Sequence, residues 1–160
     1  MDVTVRLARV DDAPLLSELR YALRATGRNA PEPEAEFLAR CARWMADELA
    51  RDGPWRCWVA ADDATGVVVG CVWLQTVGKI PNPNEAPEEL GYLSSFYIRP
   101  EYRGMGNGRK MLRTVLEWCD ARPVDPTILW PTVRSRSLYG RHGFGAATAI
   151  LLRPPATFSV

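Results

Sequence analysis

Between Arg103 and Arg109 the chain reads Arg-Gly-Met-Gly-Asn-Gly-Arg, with glycine at 104, 106 and 108 and a helix-forming run directly behind it. Each glycine gives up side-chain packing and about 0.5–1 kcal/mol of backbone entropy inside regular structure, so bare backbone must be needed here. Bare backbone leading from a strand into a helix N-terminus presents unpaired amide N–H groups at the positive end of the helix dipole, which makes an anion site. Phosphate oxygens can approach such amides unhindered, while Arg103, Arg109 and Lys110 add positive charge at the rim. A plain tight turn, with glycine only accommodating positive φ, is the alternative, although one turn rarely needs three alternate glycines.

The spacing narrows the phosphate ligand. A Rossmann fingerprint, G-x-G-x-x-G, counted from Gly104 requires glycine where Arg109 stands, and a P-loop, G-x-x-x-x-G-K-[ST], requires it at the same position. Dinucleotide and triphosphate readings therefore lose ground. Other chemistries lack their residues. Cys41, Cys57, Cys71 and Cys119 form no C-x-x-C pair and have only His142 to join them, so no zinc site, no other metal and no disulfide framework is expected. Twenty basic residues against nineteen acidic ones leave a net charge of +1, which argues against a general nucleic-acid or acidic-membrane binder. No charged leader with an apolar core opens the sequence, and no apolar run approaches the roughly 18 residues that span a bilayer. The expectation is a cytoplasmic, reduced protein.

Something must hold the glycine loop in place. Thr4 to Val10 alternates as a strand does, and Asp11-Asp12 offer an N-cap to an amphipathic helix through Leu15, Leu16, Leu19 and Leu23. Pro31-Glu32-Pro33 breaks the pattern before a second helix, about Glu34 to Arg51, with Phe37, Cys41, Trp44, Met45 and Leu49 on one stripe; Gly53-Pro54 ends it. Trp55 to Ala61 and Val67 to Val77 read as an antiparallel hairpin around Asp62–Gly66, and Gly78 to Glu89 as a proline-rich loop. A strand over about Leu90 to Arg99 leads into the glycines, and a helix from about Met105 to Ala121 follows. A short strand at Thr127 to Trp130, a helix around Ser135 to Arg141 stopped by Gly143, and a last strand over about Phe144 to Leu152 complete the chain. This order predicts one α/β (α+β) domain over 1–160, a mixed and mostly antiparallel twisted sheet of six to seven strands flanked by about four helices.

These residues resemble a known superfamily. Arg103-Gly104-Met105-Gly106-Asn107-Gly108 is similar to the R/Q-x-x-G-x-G/A signature of the GNAT-type N-acetyltransferases, placed directly after a strand. Leu138-Tyr139-Gly140-Arg141-His142-Gly143-Phe144 looks like that family's Y-x-x-x-G-F motif, and Phe96 to Tyr102 looks like its strand and exit turn. The resemblance implies a GNAT-like acyl-CoA N-acyltransferase fold, with acetyl-CoA as cosubstrate and its diphosphate on Arg103, Gly104, Met105, Gly106, Asn107, Gly108 and Arg109. It also implies that the strand segment Phe96-Tyr97-Ile98 receives the pantetheine arm through the amides of Phe96 and Ile98.

Acetyl transfer to an amine needs a neutral nucleophile, a polarised thioester carbonyl and a proton for the departing thiolate. By the resemblance Tyr139 is the general acid, since a phenol with a pKa of about 10 stays protonated where a thiol of about 8.5 is forming. Many relatives carry a glutamate on the strand before the loop, whereas this chain has Leu93-Ser94-Ser95. Ser94 or Ser95 is expected to hold a water through which the proton leaves. Thr132 stands where relatives often have a cofactor-binding asparagine, with Ser135 as its substitute. Trp55, Trp58, Trp73 and Trp130 are assigned to the core rather than to an acceptor pocket. The expected partner is a small-molecule or peptide amine, with a homodimer allowed and neither nucleic acid nor membrane involved. A non-catalytic acyl-CoA-binding or regulatory module is the competing reading.

Overall fold

The computed structural model describes residues 2–24, 32–83, 88–146 and 150–151. They form two compact units, Met1–Trp130 and Pro131–Val160. The first carries a five-stranded sheet in the order β1-β2-β3-β4-β5, with β1 at Val3–Leu7, β2 at Trp55–Asp62, β3 at Val68–Gly78, β4 at Glu89–Ile98 and β5 at Val124–Ile128. Neighbours pair antiparallel from β1 to β4, and β4 pairs parallel with β5, so the sheet is mixed. Helices α1 (Ala13–Arg24), α2 (Glu34–Ala50) and α3 (Asn107–Asp120) complete the unit. The expectation of six to seven strands is corrected to five among the described residues. The strand expected over Phe144 to Leu152 is not formed at 144–146 or 150–151, and its remaining residues lie outside the described ones.

Alternation along β2 and β3 places successive side chains on opposite faces. Cys57, Val59, Cys71 and Trp73 join Leu16 and Leu19 of α1 and Cys41 and Met45 of α2 in one buried cluster. On the opposite parity, Trp58 is buried and meets Trp118 of α3 edge-on, ring centroids 5.7 Å apart. Met111, Leu112, Val115 and Cys119 bury the matching stripe of α3. Central strands covered on both faces read as continuous apolar runs, which Val68 to Leu74 do.

Local chemistry moves several boundaries. β1 stops at Leu7 rather than Val10, because residues 10–12 wind into a 3-10 turn. Asp12 secures that turn by accepting from the Arg9 amide at 2.7 Å and from Arg6 Nη1 and Nη2 at 2.7 and 2.9 Å. The β2–β3 turn is fixed by Asp62, whose carboxylate accepts from the Thr65 amide and hydroxyl, both at 2.9 Å. The fifth strand lies at Val124–Ile128 rather than Thr127–Trp130, because it aligns with the start of β4: Glu89 faces Val124 and Tyr92 faces Ile128. In the second unit a 3-10 turn, Val133–Ser135, leads into the short helix α4, Arg136–Gly140, and Gly143 follows with φ 85°.

Candidate active site

The glycine loop lies between β4 and α3. A short 3-10 turn, Pro100–Tyr102, delivers the chain to Arg103, and α3 begins at Asn107 instead of Met105. Gly104 and Gly106 have φ 79° and 84°, a region costly for residues with a Cβ. A Cβ at either would meet no atom within 4 Å, so backbone conformation is what requires glycine there, and the space above both is open. Gly108 differs: it sits in the first turn of α3. The tight-turn alternative is thus part of the answer at two of the three glycines.

Gly106, which has no side chain to cap with, is the residue before α3. Lys110 is the first to donate within it, to the Gly106 carbonyl at 3.0 Å, so the amides of the first turn have no acceptor inside the helix. The loop is tied at both ends. Asn107, buried, donates from Nδ2 to the Tyr102 carbonyl at 3.0 Å. Arg103 donates from Nε to the Ile98 carbonyl at 2.7 Å and lays its guanidinium over the Tyr97 ring, 5.2 Å from the centroid. Lys110 departs from the expected rim position: its ammonium donates to the Val3 carbonyl, bracing α3 against β1. Of the three cations named from sequence, Arg109 is exposed and is the one whose side chain has no such tether among the described residues.

Strand β4 changes character along its length. The ladder with β5 ends at Tyr92–Ile128, and β4 continues to Ile98. On its other side Ser94 faces Trp73 and Tyr97 faces Cys71, so Ser95 and Phe96 together oppose Val72 alone. Ser95, at φ 50°, is the one described non-glycine residue in the left-handed region. A bulge there re-aims the side chains of 94 and 95.

Both serines open into a cavity of about 340 Å³. Arg20 of α1 and Phe37, Cys41 and Met45 of α2 line one part of it. Trp44, Trp55 and Trp73 form another, their indoles packed with centroids 5.6–6.2 Å apart. Trp55 and Trp73 were assigned to the core from sequence. Trp73 is buried, yet both belong to this wall. The missed signal is Arg20: Leu16, Leu19, Arg20 and Leu23 share one face of α1 at helical spacing, and a cation on an apolar stripe marks a place where the core is interrupted.

Arg20 Nη1 donates to Ser95 Oγ at 2.7 Å, and burial lowers the guanidinium's pKa, with Arg24 acting in the same direction. Arg40, at the rim, is a different case because Glu32 engages it through both carboxylate oxygens, at 3.0 and 2.6 Å. Among the described residues, none of the cavity-lining side chains is a carboxylate or an imidazole. The proline-rich segment contributes Gly78 and Glu89 to a separate recess containing Trp118; residues 84–87 lie outside the described ones.

In the second unit, Tyr139 is buried and packs edge-on with Phe144, centroids 5.6 Å apart. The Tyr139 carbonyl accepts from the amides of His142 and Phe144, which folds the motif into a compact hook around Gly143. Burial pushes the Tyr139 phenol up to about 12. Ser135 is engaged locally: its hydroxyl donates to the Thr132 carbonyl at 3.1 Å and accepts from the Thr132 amide at 2.9 Å, which closes the 3-10 turn ahead of α4. The four cysteines are buried, and burial raises each thiol, Cys71 to about 12. Among the described residues no group of His, Cys, Asp or Glu side chains could hold a metal, and no helix is long and apolar enough to cross a membrane.

Comparison with known proteins bears on this geometry. The model of the Acetyltransferase (GNAT) family matches residues 18–144. A GCN5-related N-acetyltransferase from Ralstonia eutropha JMP134 is 25% identical, with TM-score 0.76 over 97% of this chain and 99% of the other. A predicted acetyltransferase from Clostridium acetobutylicum, solved with acetyl-CoA, is 19% identical with TM-score 0.76, covering 96% of each chain. Ribosomal-protein-alanine N-acetyltransferase from Brucella melitensis biovar Abortus 2308 is 21% identical, with TM-score 0.66 over 95% of this chain and 99% of the other. No curated protein matches the chain.

Proposed function

Since this chain belongs to the GNAT acetyltransferase family, we propose that residues 1–160 act as one cytoplasmic domain that transfers acetyl from acetyl-CoA directly to a primary amine. The observation that carries this reading is the N-terminus of α3, whose first-turn amides have no acceptor inside the helix, behind two left-handed glycines under open space. A diphosphate satisfies those amides and the helix dipole together, and Arg109 supplies further charge. The same loop lies one short turn beyond the part of β4 that has parted from β5, where the backbone of Phe96-Tyr97-Ile98 would receive the pantetheine arm. The Ile98 carbonyl already accepts from Arg103, so that contact would fall to the remaining backbone groups.

The thioester supplies an activated acetyl group; the chain's own residues do the rest. As the amine nitrogen bonds to the carbonyl carbon and the C–S bond breaks, the sulfur needs a proton and the nitrogen must lose one. Tyr139 is the donor to sulfur, held fully protonated by burial. With no carboxylate among the described residues of the cavity wall, the amine proton would leave through a water ordered by Ser94 or Ser95. Transfer through an acyl-cysteine is disfavoured because burial keeps all four thiols protonated.

Calorimetric titration with acetyl-CoA, followed by assay of free CoA release with a panel of primary amines, tests the reading. Saturable binding and amine-dependent thiol release are expected. Absence of acetyl-CoA binding would overturn it.

A further inference from the structure

Among the described residues, the side chains that line the cavity beneath α1 and α2 include hydrogen-bond donors and no carboxylate. Arg20 is partly buried in its wall, and its one recorded partner among the described residues is the neutral Ser95 hydroxyl. A guanidinium carries five N–H donors and keeps its charge under all physiological conditions. Among the described residues no carboxylate contacts Arg20, and of the side chains that act most strongly on its ionisation Arg24 is a cation while Cys41, Tyr92 and Cys71 are thiols and a phenol, not carboxylates. The Trp73 indole N–H, also in the wall, is buried with no acceptor among the described residues. Arg40 shows how this fold compensates an arginine when it does: Glu32 grips it with both oxygens. A desolvated cation left without a counter-charge is costly unless a ligand supplies one.

The rest of the wall says what else the occupant must be. Phe37, Met45 and the three indoles of Trp44, Trp55 and Trp73 offer apolar and aromatic surface, and about 340 Å³ suits a small molecule rather than a folded partner. Ser94 and Ser95 belong to the same wall, so an amine anchored here lies beside the strand proposed for the transfer.

Building on the acetyltransferase reading, we propose that the acceptor is an amine with an apolar or aromatic body that also carries a carboxylate, which Arg20 binds with Ser95 beside it. A single guanidinium with one hydroxyl matches one negative charge, which favours a carboxylate over a phosphate dianion. Aromatic α-amino acids belong to this class. The arginine acts in binding and selection, not in proton transfer.

The test compares acceptors that differ only in the anion: phenylalanine against phenethylamine and tryptophan against tryptamine, with the phosphonate analogue of phenylalanine as a third arm. CoA release and acceptor binding to the CoA-loaded protein, followed by calorimetry, are measured for wild type, Arg20→Met and Arg20→Lys, each first checked for cooperative unfolding. Wild type is expected to favour the carboxylates about 10- to 100-fold in kcat/KM or in affinity. Arg20→Met should erase that preference by raising KM with little change in kcat, Arg20→Lys should restore part of it, and the phosphonate should trail the carboxylate. The proposal fails if carboxylated amines neither bind nor react better than their decarboxylated partners, if the phosphonate is preferred, or if Arg20→Met keeps the preference. In those cases intact acetyl-CoA binding would leave the acetyltransferase reading standing; loss of acetyl-CoA binding by wild type would remove both.

Discussion

The loop from Arg103 to Arg109 and the cavity under α1 and α2 use the chain in opposite ways. The loop is seven consecutive residues whose side chains turn to holding the loop itself: Arg103 and Asn107 fasten it, and the glycines leave the space above it open. What it offers a ligand is main chain. The cavity draws Arg20, Trp44, Trp55, Trp73, Ser94 and Ser95 from five separate elements, and what it offers is side chains. Main-chain donors suit a group that is the same in every turnover, such as a diphosphate, because any sequence supplies amides if the backbone is shaped correctly. Side chains suit the partner that must be distinguished from others. On the proposed reading, common binding and selective binding fall to two kinds of surface.

The largest expected effect breaks the loop and spares the cavity. Gly106→Glu should abolish measurable acetyl-CoA binding, because it places an anion in front of the helix N-terminus. Gly106→Ala is the control. It meets no neighbour, costs about 1–2 kcal/mol for its left-handed φ, and should still bind. If Gly106→Glu binds as tightly as wild type by calorimetry, the loop is not the diphosphate site.

Tyr139→Phe sharpens the comparison because Tyr139 is neither one of the loop residues nor one of those lining the cavity. Turnover should fall about 10²- to 10⁴-fold with acetyl-CoA affinity nearly unchanged. Because burial penalises the phenolate and pushes the pKa up to about 12, the wild-type rate should show no alkaline decline from this group below about pH 11. A descending limb near pH 9 that disappears in Tyr139→Phe would contradict that environment.

Ser95→Gly acts on the cavity side. Glycine adopts φ 50° without penalty, so stability should stay level or rise by up to about 1 kcal/mol, while Arg20 loses its 2.7 Å partner. Acceptor KM should rise several-fold and acetyl-CoA affinity should hold. A loss of cofactor affinity instead would mean that the bulge shapes the loop side of β4.

The same division explains what could be read without coordinates. The loop was legible because its information is local: glycine spacing encodes backbone shape, and the strand before it and helix after it adjoin in sequence. Even there Lys110 was misplaced, since its partner, the Val3 carbonyl, is 107 residues away. The cavity was not legible, because indoles on strands look alike whether they face a core or a cleft, and only the packing of α1 and α2 over β3 and β4 separates the two. Ser95 carries no signal at all. Its left-handed backbone follows from a register change between strands, and nothing in Leu93-Ser94-Ser95-Phe96 requires one.

The smallest effect tests how firmly the cavity is anchored. α1 carries Arg20, and it enters through the 3-10 turn whose Asp12 carboxylate is held by Arg6 and by the Arg9 amide. The Arg6 hydrogen bond, outweighing the cost of partial burial, lowers the Asp12 pKa from its ordinary value of 3.8. A lowered folded-state pKa means the pair stabilises the protein above the ordinary carboxyl range, and that contribution fades as pH falls through the lowered value. Asp12→Asn should cost about 1 kcal/mol in urea unfolding at pH 7, allowing for solvent screening of the half-exposed Arg6, and the difference should shrink in acid. Because the turn positions α1 and leaves α3 untouched, acceptor KM should shift less than threefold and acetyl-CoA affinity not at all. A variant that binds the cofactor poorly would show that the two surfaces are coupled through β1, where the Val3 carbonyl already holds Lys110 of α3.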